Sequence, residues 1–400
     1  MKFKRIFVIV TDSLGIGHDD EKAGAFSDLG ANTFAHISEK NDGLNIPCLN
    51  SLGIADLDEI KGTDVVSHPH SYSMRLHEAS NGKDTMTGHW EMMGILTSSP
   101  FMTFTDTGFP KELILELEKR TGRKVIGNRA ASGTQIIQEL GEQQCKEGSL
   151  IVYTSADSVL QIAANTAYIP LEELYRDCQI ARELCLDPKY RVGRVIARPY
   201  IGSDASSFKR TSDRKDYALS PTGKTAMDVL KENGYMTSCV GKINDIFNGQ
   251  GVSKTVHTTS DQNGMEITTE YVKSDDFEGL CFVNLVEFDS EYGHRRNPLG
   301  YGKHIEDFDR WLANMLKHVR DDDLVMITAD HGNDPTWKGT DHTRELVPLI
   351  CYSPSFKKGR KLADRTSFAD IGETVLVNFG LKKADNMIGN LIEELLDEKD

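Results

Sequence analysis

The 400-residue sequence predicts an α/β fold, a mainly parallel sheet flanked by helices, with a second α/β unit inserted into it. Three observations predict it. Short apolar runs rich in β-branched residues alternate with amphipathic stretches, the pattern of parallel strands covered by helices. Several of those runs end in Asp or His, at the carboxyl strand ends where open α/β sheets bind ligands. Two polar joints, Thr97-Ser98-Ser99-Pro100 and Lys209 to Pro221, bracket a segment with strands and helices of its own.

Taken in order, strands are expected at 5–10, 150–154, 194–198, 235–240, 280–286, 324–328 and 347–351, each a short apolar run bounded by turn-forming or charged residues. Pro110 opens a helix that Thr121-Gly122 closes, a start by proline and a stop by glycine. Pro170 opens a second, ending before Asp187-Pro188. Ser220-Pro221 opens a third that runs to Asn233-Gly234, and a fourth covers 305–319. Residues 1–98 and 219–400 are expected to form one discontinuous core, and 99–218 the inserted domain.

Composition narrows the function. Asp plus Glu number 61 against 46 Lys plus Arg, a net charge of −15. Such a chain lacks the Lys/Arg stripe that a phosphate backbone selects, so no nucleic-acid partner is expected. The apolar run 6–10 stops at Thr11-Asp12. That is shorter than a signal-peptide core of about 7–15 residues, and far short of the ~18 that span a bilayer. A cytoplasmic protein without a membrane partner is the expectation. Seven cysteines (48, 145, 178, 185, 239, 281 and 351) are dispersed with no CxxC pair, as buried thiols in a reducing compartment would be.

The candidate chemistry lies at strand ends. Asp12 follows the first run; Asp289 and His294 follow VNLVEF; Asp330 and His331 follow VMITA; and His342 sits in GTDHTRE, just before the last strand. Taken singly, Asp12 reads as a helix cap and His342 as a surface histidine. Together they point to a dinuclear metal centre. Adjacent Asp330 and His331 reach one site only if the strand breaks after them, which Gly332-Asn333 allows. Asp289 and His294, five apart, need a turn, which Gly293 permits. Mixed Asp and His ligands suit Mn²⁺, Zn²⁺ or Fe²⁺ better than Ca²⁺. A metal-activated hydroxyl nucleophile could be Thr85, Thr87 or Ser13 on local grounds; Thr85 sits between Gly82 and Gly88, as in a loop entering a site.

In this order, the segments TDSLGIG (11–17), GKDTMTGHWE (82–91), YTSADS (153–158), GRVIARP (193–199), Asp289 to Arg296, Thr328 to Pro335 and Asp341 to Glu345 resemble the alkaline phosphatase superfamily. Within it they are most similar to the phosphopentomutase family. The likeness covers nearly the whole chain, and the KDTMTGHWE block is what narrows it. It implies an alkaline-phosphatase-like core with an inserted α/β cap. It also implies one ion on Asp12, Asp330 and His331, a second on Asp289, His294 and His342, and Thr85 as the phosphorylated nucleophile. Glu287 stands where the family usually has aspartate, two residues before a ligand, and is not expected to touch metal.

The resemblance further implies an intramolecular phosphotransferase (an isomerase) acting on pentose phosphates and linking nucleoside breakdown to pentose metabolism. Two divalent ions, with Mn²⁺ as the choice, would serve it, and a sugar bisphosphate such as glucose 1,6-bisphosphate would prime it. Arg194, Arg210 and Lys242 are the implied phosphate contacts, and Ser155 and Asp157 the sugar contacts. Arg198 is read as a solvated surface charge. A phosphatase or phosphodiesterase using the same site, or a catalytically silent metal-binding protein, are the competing readings. The oligomeric state is open, a monomer included.

Overall fold

Every residue of the strand Arg5–Thr11 is buried in the computed structural model, which describes residues 1–155 and 158–397. This strand lies fourth in a seven-stranded sheet whose spatial order is Lys254–Val256, Met236–Val240, Gly279–Leu285, Arg5–Thr11, Asp323–Thr328, Val347–Tyr352 and Ser71–Leu76. The first five are parallel; Val347–Tyr352 runs against both of its neighbours. Strands buried on both faces need unbroken apolar sequence, which is why FVIV, CFV and LVMI read so plainly.

Register sets the site. Thr11 is level with Leu285, and Val10 with Thr328, so three neighbouring strands end together at one edge of the sheet. At the opposite end the buried Arg5 guanidinium binds Asp323 through Nε (2.7 Å) and Nη2 (2.6 Å), pairing a charge that would be costly alone.

The chain divides into two units, Met1–Ser98 with Ser220–Asp400, and Ser99–Leu219. The second has its own sheet, in the order Val125–Ala130, Leu150–Thr154, Val159–Asn165, Arg194–Ile201 and Lys209–Arg210, with Lys215–Ala218 also paired to Arg194–Ile201. Its side chains alternate between two cores. Leu150, Val152, Leu160 and Ile162 pack with the helices Lys111–Thr121 and Leu171–Leu184. Ile151, Tyr153, Ala163 and Tyr200 pack with Ile136 and Ile137 of the helix Gly133–Glu147.

Two helix starts differ from expectation. The helix expected from Pro221 begins at Ala226, because Thr225 and Asp228 form a reciprocal capping box there. The helix expected from 305 begins at Pro298, where Asn297 caps Gly300 and proline occupies the first turn. Among the described residues no helix is long and apolar enough to cross a membrane.

Candidate metal centre and nucleophile

Asp12 directly follows the central strand, and its backbone N–H donates to Leu285 O (3.1 Å), holding the chain at the sheet edge. On the next strand the chain breaks after Asp330 and His331. Gly332 pairs with Thr343 in both directions (Gly332 N to Thr343 O, 3.1 Å; Thr343 N to Gly332 O, 2.8 Å). That pairing lays His342 beside His331, with stacked rings 3.9 Å apart. Gly332 is required for closeness, since a Cβ there would stand 2.3 Å from Glu345 Oε1.

Asp289 and His294 meet by a route the sequence reading did not anticipate. Phe288–Gly293 forms a π-helical turn in which His294 N–H donates to Asp289 O (2.9 Å), so residues five apart come into line. Gly293 does not supply a left-handed turn there. It supplies room, because a Cβ would lie 2.8 Å from Asn333 Nδ2.

The six residues fall into two trios. In the first, His331 Nε2 lies 3.3 Å from Asp330 Oδ2 and 3.6 Å from Asp12 Oδ1. In the second, Asp289 Oδ2 lies 3.1 Å from His294 Nε2 and 3.5 Å from His342 Nε2, and the two Nε2 atoms are 3.1 Å apart. His331 also lies within 4.8 Å of the Asp289 and His342 donor atoms, between the trios.

Backbone carbonyls set the histidine tautomers. Nδ1 of His294 faces Thr340 O (3.1 Å), Nδ1 of His342 faces Lys83 O (3.0 Å), and Nδ1 of His331 faces Gly332 O (3.0 Å). A carbonyl can only accept, so each Nδ1 carries a proton, and in the neutral ring each Nε2 presents a lone pair to the site. Nδ1 bonded outward and Nε2 turned inward is the usual arrangement of metal-ligating histidines.

Charge points the same way. Burial, then the neighbouring Asp330 and Asp289, push the Asp12 carboxyl well above its usual range, and its Oδ1 is buried without a hydrogen-bond partner. Burial also acts to raise Asp289, but His342 and His294 outweigh it and hold that carboxyl well below its usual range. Burial acts on Asp330 likewise, with His331 and His89 lowering it on balance. Burial drives His331 down to about 4, leaving it neutral and a lone-pair donor at neutral pH. Three buried carboxylates crowded with inward lone pairs are a set that cations would satisfy, and the donor types fit divalent ions.

Another group, Asp261, Glu287 and His304, behaves differently. His304 Nε2 lies 2.8 Å from Asp261 Oδ2; Glu287 N donates to both Asp261 oxygens (3.1 Å each); Asp261 N donates to Glu287 Oε2 (2.9 Å). Its donors and acceptors answer one another, and the group braces the turn leading to Asp289.

The three candidate hydroxyls separate cleanly. Ser13 Oγ is buried against Tyr301 Oη (3.0 Å), and Thr87 Oγ1 donates to Asp84 Oδ2 (2.6 Å). Thr85 Oγ1 lies 3.1 Å from His331 Nε2. Thr85 is not in a loop: it opens the helix Thr85–Met92, which Asp84 caps by accepting from Thr87 N. Gly88 lets that helix approach, since a Cβ would stand 2.2 Å from Asp330 O.

Of the implied substrate contacts, Lys242 is exposed, and its charge acts to lower the Asp12 pKa. Ser155, Arg194 and Arg210 belong to the Ser99–Leu219 unit, and Asp157 lies outside the described residues. Ser155 O accepts from Thr105 Oγ1 (2.8 Å), and Arg194 lies 3.7 Å from Asp216. Arg210 lines a cavity of about 600 Å³ with Thr134, Arg198, Lys209 and Arg214. Arg198 is no free surface charge: it is partly buried, and its Nε donates to Gln161 Oε1 (2.9 Å), because its strand places it on the face toward that cavity.

Sequence reasoning missed His89, Asn284 and Glu345. His89, on the nucleophile's helix, and Asn284, on the strand Gly279–Leu285, are both buried beside the carboxylates. Glu345 accepts from Thr33 N (2.9 Å), Thr33 Oγ1 (2.7 Å) and Thr343 Oγ1 (2.6 Å) beneath the ligand loops. A polar residue within a matched motif (His89, Glu345) or within an apolar strand run (Asn284) was the available signal.

Residues 4–383 match the family profile described as the Metalloenzyme superfamily. The chain is 55% identical over 392 residues to a phosphopentomutase of Clostridium beijerinckii, covering 98% of each. It is 53% identical over 398 residues to one of Clostridium tetani, covering 99% of this chain and 100% of that one. Among solved structures, phosphoglycerate mutase of Leishmania mexicana superimposes with a TM-score of 0.51 at 12% identity, over 97% of each chain, a likeness of fold. With a metal-ligand donor set at the sheet edge and full-length relatives above half identity, the chain belongs to the phosphopentomutase family of the metalloenzyme superfamily.

Proposed function

We propose that this chain interconverts ribose 1-phosphate, or 2-deoxyribose 1-phosphate, with the corresponding 5-phosphate, carrying the phosphoryl group on Thr85. The observation that carries this reading is the position of Thr85 Oγ1, 3.1 Å from His331 Nε2 at the edge of two donor trios. A pentose 1- or 5-phosphate carries a phosphoryl group at one of these positions and a free hydroxyl at the other, so an enzyme hydroxyl that can accept and return the group suffices for isomerisation.

Asp12, Asp330 and His331 would hold one divalent ion, and Asp289, His294 and His342 the other, with Mn²⁺ favoured by the mixed donors. When bound, such ions polarise phosphoryl oxygens and make a threonine alkoxide accessible. Three carboxylates carry −3 against +4 for two ions, a balance of about +1 that suits a phosphoryl dianion. In the first transfer the Thr85 Oγ–P bond breaks as a bond forms from phosphorus to the sugar's free hydroxyl oxygen, and that hydroxyl's proton ends on Thr85 Oγ. The resulting bisphosphate reorients. In the second transfer Thr85 Oγ takes the other phosphoryl group and returns the proton to the sugar oxygen. A sugar bisphosphate such as glucose 1,6-bisphosphate would load Thr85 initially.

Residues 99–218 are assigned the role of a cap, which keeps water from the phosphothreonine. Arg194, Arg210 and Lys242 are assigned to phosphate, which guanidinium forks grip well, and Ser155 and Asp157 to sugar hydroxyls. Reducing surroundings such as the cytoplasm suit its dispersed, unpaired thiols.

The test is to incubate Mn²⁺-loaded protein with ribose 1-phosphate and a trace of glucose 1,6-bisphosphate, following ribose 5-phosphate and free phosphate together. Ribose 5-phosphate with little free phosphate is expected. Stoichiometric free phosphate without the isomer would make the protein a phosphatase and remove the case for a water-excluding cap.

A further inference from the structure

His89 has no exposed surface, and its ring stands between three parts of the site. Nδ1 faces Thr85 O at 2.9 Å. A carbonyl only accepts, so Nδ1 is protonated and Nε2 carries the lone pair. Nε2 is met by the Asn284 amide, whose Nδ2 lies 3.2 Å away. The same Nδ2 has a second hydrogen, donated to Asp12 Oδ2 at 2.9 Å. The tautomer required at one end of the ring is therefore the one that accepts at the other. Asp330 Oδ2 lies 3.2 Å from Nδ1, so the N–H dipole that fixes the nucleophile's turn also faces this carboxylate. Phe282, at a centroid distance of 5.7 Å, packs beside the ring.

We propose that His89 is a positioning residue with two separable duties: through Nδ1 it holds the first turn of the Thr85 helix against Asp330, and through Nε2 and Asn284 it orients Asp12. This rests on the reading of Asp12, Asp330 and His331 as an ion site. A buried histidine that only filled space would have no use for this chain of matched donors. An apolar ring of similar size would pack as well against Phe282.

Two amide substitutions divide the duties. The asparagine amide nitrogen, a donor, reaches the position of Nδ1, and the glutamine amide oxygen, an acceptor, reaches that of Nε2, so His89→Asn keeps the Thr85 contact and loses the Asn284 arm, and His89→Gln does the reverse. Binding of Mn²⁺ is measured by isothermal titration and by ion content per chain, and kcat is measured separately at saturating Mn²⁺. For His89→Asn, Mn²⁺ affinity at one of the two sites is expected to fall roughly 10–100-fold with kcat near wild type, since contacts behind metal ligands carry effects of that size. For His89→Gln, affinity is expected to stay near wild type while kcat falls by a similar factor. This crossed pattern supports the assignment. Parallel losses in both variants, a reversed cross, or wild-type behaviour of both overturn it. Should either variant fail to fold, Asn284→Ala decides: weaker Mn²⁺ binding at one site with kcat retained at saturation supports the relay, and unchanged affinity overturns it. Wild-type protein that binds no Mn²⁺ would instead overturn the reading of the ion sites themselves.

Discussion

The Nε2 atoms of His294 and His342 face each other across 3.1 Å, while each ring's Nδ1 is tied to a backbone carbonyl. With both rings neutral, neither nitrogen can donate to the other, so two lone pairs are held together by the fold. That arrangement costs free energy unless a positive charge is bound to both, and the buried, unpartnered Oδ1 of Asp12 poses the same requirement on the other side.

Ion removal should therefore destabilise the protein as well as silence it. Chelation is expected to lower the melting temperature, and readdition of Mn²⁺ to raise it progressively above saturation. Each site contributes about 2.7 kcal/mol when the ion stands at about 100 times its dissociation constant. Differential scanning calorimetry across a Mn²⁺ series checks this, and a melting temperature independent of Mn²⁺ would contradict it.

Thr85→Ala and Ser13→Ala should behave differently. The first is expected to abolish turnover, by a factor on the order of 10³ or more, with both ions retained. Ser13→Ala loses a hydrogen bond to Tyr301 and is expected to cost roughly 1 kcal/mol of stability with turnover largely kept. Steady-state rates alongside ion content distinguish the two; equal losses would remove the distinction between these hydroxyls.

Gly88→Ala tests the approach of the nucleophile's helix to Asp330. The added methyl would stand 2.2 Å from Asp330 O, which is backbone and cannot swing away. The helix must shift, with an expected stability loss of about 1–3 kcal/mol and a larger proportional loss in kcat than in KM. Denaturant unfolding and kinetics together check this.

His36 Nδ1 lies 2.5 Å from Asp334 Oδ2. The hydrogen bond to Asp334 raises the histidine above its ordinary 6.5, while burial acts to raise Asp334 but His36 and Thr336 hold it below its ordinary 3.8. The signs give a window. The histidine's share is full below about pH 6.5 and fades as pH rises through its folded value. The aspartate's share is full above about pH 3.8 and fades as pH falls through its own. His36→Gln is expected to cost roughly 1–2 kcal/mol near pH 5–6 and less at pH 9. Melting curves across pH check the slope, and a cost independent of pH would contradict it.

The strand ends were legible because their signal is local. FVIV and VMITA can only be buried strands, and an acid directly after them falls at the sheet edge once the register is parallel. Helix Thr85–Met92 was not legible. Six of its eight residues, Thr87 to Met92, are buried in succession, so it shows no amphipathic period, and its two short-range signals, Gly82 and Gly88, suggest a loop. The strand Val159–Asn165 was hidden likewise, being buried along its full length yet carrying Gln and Asn. The π turn at Phe288–Gly293 escaped because no residue pattern marks an i to i+5 bond. His89 sat in a motif read for its threonine, and only the fold shows that its ring also touches two segments distant in sequence, at Phe282 with Asn284 and at Asp330.

The most direct measurement is mass spectrometry of the peptide containing Thr85 after Mn²⁺-loaded protein is treated with glucose 1,6-bisphosphate labelled in its phosphoryl groups. One labelled phosphoryl group on Thr85 is expected, and a chase with ribose 5-phosphate should transfer it to the sugar with little release to water. Turnover continuing with Thr85 unlabelled, or label passing only to free phosphate, would contradict the role of Thr85 as the carrier.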